Sequence, residues 1–141
     1  IFFKAGIYED VYFMFLFDLK NKLVIKKFNK SVYLKIYSSN AITSTFSRRH
    51  LNGFISSLVN IYKYLKKNKK LYTKLNKFFQ YRLRGEYFNL YQKIQKNKFS
   101  KRVKIDYNNI LKKKLLPIIN LKLAKLSNSK KDILLRKIIY D

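Results

Sequence analysis

The chain has no cysteine and a single histidine among its 141 residues. Disulfides and Cys-based zinc sites are therefore excluded, and one histidine cannot build a His-rich metal site, so no metal or cofactor is expected. Three glycines and one proline leave no flexible linker, and no internal repeat is evident. Near the N-terminus the longest uncharged apolar run, Val11 to Phe17, stops at Asp18, far short of the roughly 20 residues a membrane-spanning helix needs. No arginine precedes Arg48, so an Arg-rich transit peptide is not visible. Acidic residues are the scarcest class: seven Asp plus Glu stand against 33 Lys plus Arg, a formal net charge of +26. That balance argues against an ordinary neutral or acidic metabolic enzyme. Self-repulsion of this size disfavours a compact state unless a polyanion relieves it, which points to RNA, DNA or an anionic membrane.

Catalytic constellations are missing as well. There is no Gly-rich phosphate loop and no nucleophile elbow. Glu9 and Asp10 are adjacent in sequence and do not converge as a general acid/base pair; a solvated acidic patch or a salt bridge to a basic neighbour fits them better. His50, between Arg49 and Leu51, reads as a surface or boundary residue with no nucleophile or carboxylate partner. No enzyme is expected.

What is present is substantial. Hydrophobic residues make up 48%, with 12 Phe and 12 Tyr, enough for one domain with its own core. Lysine outnumbers arginine 27 to 6, and there are 13 asparagines; AT-rich codons supply these residues, which suggests an AT-rich genome, of which an organellar one is an example. Residues 1–30 read as an apolar N-terminal extension, crowded with Phe2, Phe3, Phe13, Phe15 and Phe17, that should lie against the protein's own core or a neighbouring chain. From Asn60 to Lys104 the net charge is +14, with aromatics interleaved. Residues 126–141 read as a basic C-terminal extension with Ile133, Leu134, Ile138 and Ile139 spaced for a short helix.

Between these ends, residues 31–37 alternate like a half-buried strand, with Val32, Leu34 and Ile36 on one face. Ser38, Ser39, Asn40 and Thr43 offer N-caps. Leu51, Phe54, Ile55, Leu58, Tyr62 and Leu65 then recur at helical spacing, an amphipathic helix of about five turns. Leu71, Thr73 and Leu75 alternate again, which predicts a long, curved hairpin over about 62–95; Gly85 there marks a bulge or a flexible spot. Asp106 is a candidate N-cap for a short helix ended by Pro117, and Ile119, Leu121 and Leu123 alternate as a closing strand. The expected fold is α+β: a ferredoxin-like split βαββαβ over 31–125, an antiparallel sheet with two helices on one face.

These residues resemble the family of ribosomal small-subunit protein ten. Leu34, Lys35, Ile36, Tyr37 and Ser38 stand where that family's first strand reads L-K-a-aromatic-D. Tyr72, Thr73, Lys74 and Leu75 resemble its aromatic-T-x-L, and Arg82, Glu86 and Phe88 its basic, then E-x-aromatic stretch. Ile110, Leu111, Leu116, Pro117, Ile119, Leu121 and Leu123 follow its leucine helix and L-P-x-x-V-x-V-x-I ending. The resemblance covers about residues 31–125 and lies in the spacing of four weak motifs. The run from Tyr64 to Lys70, without Gly or Pro, and Asn76-Lys77-Phe78 depart from the family's Gly-Pro, Pro-Thr and Ser-Pro-His. What the resemblance implies is a structural protein of the small-subunit head, with small-subunit rRNA and head proteins such as ribosomal proteins three, nine and fourteen as partners. It would serve organellar translation, in the mitochondrial matrix or alternatively a plastid.

The charge pattern names the same interface independently. Lys63, Lys66, Lys67, Lys69, Lys70, Lys74, Lys77, Arg82 and Arg84 would neutralise phosphates, each contact steepening the logarithmic salt dependence by roughly 0.7 to 0.9. Tyr72, Phe78, Phe79 and Tyr81 are the candidates for stacking on unpaired bases. For Lys66 to Lys70 the plain alternative is a solvated charged turn. For Phe78 and Phe79 it is packing against the protein's own stem or a neighbour. Two other functions stand beside the ribosomal one: an accessory subunit of a membrane-bound organellar complex, from the Phe-rich N-terminus, and a fragment of an RNA-processing enzyme such as an intron maturase, from composition alone.

Overall fold

The computed structural model describes residues 46–120 together with Val11, Tyr12, Phe15, Ile133, Arg136 and Lys137. Three α-helices account for most of this: α1 (Arg48–Lys67), α2 (Lys69–Lys96) and α3 (Lys101–Leu115), followed by a 3-10 turn, Leu116–Ile118. Among the described residues there is no strand. The ferredoxin-like α+β fold expected from the sequence is overturned, and with it the hairpin over 62–95, most of which is the 28-residue helix α2.

The reason is visible along α2. Leu71, Leu75, Phe79, Leu83, Tyr87, Leu90 and Ile94 follow at steps of four and three and all join or pack against the core, the period of a helix that faces one way. The short alternation Leu71-Thr73-Leu75 is also a pair at i, i+4. No Gly or Pro lies between Asn60 and Arg84 to turn a hairpin, so the local signal for a strand pair has no turn to close it. Gly85 marks no bulge; it lies inside α2, with open space where a Cβ would point.

The helix expected after Phe46 is α1. Its cap is Ser47, whose Oγ accepts from the His50 amide at 3.4 Å; the earlier candidates Ser38 to Thr43 lie outside the described residues, as does the alternating segment 31–37. One residue, Asn68, ends α1 and starts α2. Its amide donates to Leu65 O at 3.0 Å, its carbonyl accepts from Tyr72 N at 2.9 Å, and its side-chain Nδ2 donates back to Tyr64 O at 2.8 Å. Helix α3 is opened by Ser100, whose Oγ accepts from Val103 N at 3.4 Å, not by Asp106, which lies inside α3. Helix α3 gives way after Leu115 to the 3-10 turn Leu116–Ile118, which contains Pro117, a residue without the N–H a continuing α-helix would need. Ile119 and Asn120 are not in a strand, and 121–124 lie outside the described residues. Ile133, Arg136 and Lys137 are helical.

Each helix packs on the other two. Tyr62 stacks on Phe79 at 6.4 Å, while Lys93 sits 5.0 Å over Phe46, so α1 and α2 run antiparallel. Lys104 donates to Gln95 O and Gln80 to Ile118 O, so α2 and α3 do too. The core joins Leu51, Ile55, Leu58, Ile61 and Leu65 of α1 to the α2 stripe and to Tyr107, Leu111 and Leu115 of α3. Phe46, Phe99 and Tyr107 close one end in edge-to-face and tilted contacts of 5.3–6.3 Å. Gln80, 2% exposed, ties down the chain beyond Pro117: its Nε2 donates to Ile118 O at 2.9 Å and its Oε1 accepts from Asn120 N at 2.7 Å. Of the N-terminal segment, Val11, Tyr12 and Phe15 pack against the core, Phe15 meeting Tyr64 edge-on at 6.3 Å.

Candidate nucleic-acid interface

Phe46 to Asn120 carries 20 basic residues and two acids. Both acids face an arginine: Asp106 lies 3.8 Å from Arg48, and Glu86 lies 3.6 Å from Arg82 one turn away on α2. Among the described residues no acid faces Lys63, Lys66, Lys67, Lys69, Lys70, Lys74 or Lys77, and all seven are exposed.

Their placement runs against helix electrostatics at one end. Lys66 and Lys67 occupy the last turn of α1, where the dipole favours a cation, but Lys69 and Lys70 open α2, where it does not, and none of α1, α2 and α3 has an acid in its first turn. The one-residue turn at Asn68 brings these four lysines to the same end of the molecule, with Lys63 one turn back. Lys66 lies 4.9 Å over the Tyr72 ring and 5.9 Å from Tyr62, so one face of Tyr72 is already covered by a cation and the ring is half-buried.

Further along α2, Lys70, Lys74, Lys77 and Tyr81 recur at i, i+4, i+7 and i+11, and Phe78 lies beside them. All five are exposed and stand away from the buried stripe through Phe79, Leu83 and Tyr87. Phe78 is 69% and Tyr81 66% exposed. Two members of the set expected from the sequence are elsewhere. Phe79, 6% exposed, stacks on Tyr62 in the core, and Arg84, 7% exposed, is buried within α2's packing. A helix rotates by about 100° per residue, so neighbours in sequence such as Phe78 and Phe79 take opposite fates.

The sequence did not single out the second cationic end. Lys93 and Lys96 finish α2, Lys98 sits in the turn, and Lys101 and Arg102 begin α3; Asn89, Gln92, Lys93, Lys96 and Asn97 line a shallow, open hollow of about 310 Å³ there. The charge count over residues 60–104 already contained that signal. His50 is buried rather than at the surface, its Nδ1 2.7 Å from Ser47 Oγ at the cap of α1. Among the described residues no three His, Cys, Asp or Glu side chains gather to hold a metal, and no helix is long and apolar enough to cross a membrane. Compared with known proteins, the chain matches no family model, no curated protein and no solved structure.

Proposed function

We propose that this protein is a non-catalytic RNA-binding subunit of a ribonucleoprotein particle, the small ribosomal subunit of an organelle, held to rRNA through phosphate contacts of its α1–α2 end. The observation that carries the reading is the run of exposed, acid-free lysines from Lys63 to Lys77 across one helix junction. Lysines at the start of α2 cost stability in the free protein; a phosphate chain lying there turns each of them into a favourable contact. The resemblance to the protein-ten family named the subunit. Helix α2 runs through two of its four motifs, Tyr72–Leu75 and Arg82–Phe88, and removes the hairpin from that argument, so RNA binding rests on charge and composition and the choice of subunit on the resemblance alone.

The test is a titration of the purified chain with fluorescent RNA at several salt concentrations. Phosphate contacts by five to seven lysines predict a logarithmic slope of about −3.5 to −6. A slope near zero, or no binding in moderate salt, sinks the proposal. A chain extracted only with detergent and insensitive to ribonuclease would favour the membrane-complex reading instead.

A further inference from the structure

We infer that the Phe78–Tyr81 pair on α2 is a stacking platform for unpaired bases, so that the RNA taken by this site is single-stranded or looped, not a continuous duplex. The inference rests on the RNA-binding reading and specifies its substrate.

Phe78 and Tyr81 are the two most exposed large hydrophobic side chains described. Ordinary packing does not explain them, because the core-facing stripe of the same helix passes through Phe79 and Leu83. They are one helical turn apart, an i, i+3 pair whose Cβ atoms lie about 5–6 Å from each other, close enough for both rings to engage consecutive bases of one strand. Cations surround them. Lys74 is one turn before Phe78, Lys77 one turn before Tyr81, and Arg82 one turn after Phe78, its side chain 63% exposed.

That combination selects the occupant. An apolar protein surface would match the rings but not the lysines around them, and a duplex would satisfy the lysines but leave both rings in water, since paired bases keep their faces inside the stack. A single strand offers phosphates and free base faces together, as stacking proteins use them. Phe78 and Tyr81 contribute through ring faces, which every base possesses, so the site tolerates sequence variation.

Trp is absent from the chain, so Phe78→Trp places a single reporter at the site on a background without tryptophan. Adding a single-stranded oligonucleotide should quench its emission, while an equal-length hairpin-free duplex should quench it much less. In parallel, Phe78→Ala with Tyr81→Ala should weaken single-strand binding at least about tenfold, each stacked ring being worth roughly 5- to 150-fold, and change duplex binding less than about twofold. Unquenched emission together with unchanged single-strand affinity overturns the inference and assigns the pair to a protein contact; the RNA-binding reading survives if the salt-dependent binding is intact. Loss of all binding by the unmodified chain would instead defeat the reading beneath it.

Discussion

Replacing Gln80 by Leu removes a buried side chain that bridges α2 to the chain beyond Pro117. Two hydrogen bonds disappear, 2.9 Å to Ile118 O and 2.7 Å from Asn120 N, and a similarly sized apolar side chain takes the buried position. A polar group left unpaired in a buried site costs about 1–3 kcal/mol. Ile118 is half-buried and Asn120 exposed, so water repairs part of the loss, and about 2 kcal/mol is the expected total. For a chain of this size that lowers the melting temperature by about 8 °C, read by circular dichroism at 222 nm, and speeds amide exchange at Ile119 and Asn120. Gln80→Glu is the sharper control. It keeps the acceptor for Asn120 but points carboxylate oxygen at the Ile118 carbonyl, so at neutral pH it should be destabilised as well. Burial and the facing carbonyl raise the folded-state pKa of the introduced carboxyl, so its deficit should shrink as pH falls and protonation restores a donor. If Gln80→Leu melts within about 2 °C of the parent and exchange at Asn120 is unchanged, the clamp does not hold the segment and the reasoning fails.

Other consequences are open to measurement. The Tyr87 hydroxyl is buried with no hydrogen-bond partner among the described residues, and burial, assisted by Tyr91, pushes its pKa up to about 12. Tyr87→Phe should therefore be neutral or stabilising by up to about 1 kcal/mol in urea melts at pH 8. Between pH 10 and 12 the unfolded phenol ionises ahead of the folded one, so the parent should lose stability relative to Tyr87→Phe by about 1 kcal/mol per pH unit; a constant gap would contradict the burial. Gly85→Ala, with open space at its Cβ, should stabilise α2 by about 0.5–1 kcal/mol, seen as a higher denaturation midpoint. Leu83→Ala in the core should cost about 2–5 kcal/mol. Changing Lys70, Lys74 and Lys77 together to Gln should reduce the salt slope of RNA binding by about 2 without lowering the melting temperature.

Helix α1 was legible in the sequence because Leu51, Ile55, Leu58 and Leu65 keep the helical period in a segment without competing signals. Its true cap, Ser47, was one of several Ser and Thr residues ahead of it, and only geometry separates them. Helix α2 was misread for two physical reasons. Residues 71–75 satisfy both a two-residue and a four-residue period, and the Phe and Tyr content around 78–88 favours strands on propensity, which long-range packing overrides. The missing Gly and Pro were the stronger clue. Arg84 and Phe79 were assigned to the interface on residue type, as a cation and an aromatic within a basic stretch, without a period to say which way they face; on the helix they turn inward. The lysines were legible regardless of fold, since a charge excess of this size has nowhere to go but the surface. Gln80 was invisible, as nothing local marks a glutamine whose partners lie 38 and 40 residues further on.

The most direct measurement is density-gradient sedimentation of an organelle lysate, with and without ribonuclease, following this chain by mass spectrometry. Migration with the small ribosomal subunit and release on RNA digestion is the predicted result. Migration with a detergent-solubilised membrane complex, unaffected by ribonuclease, would contradict it.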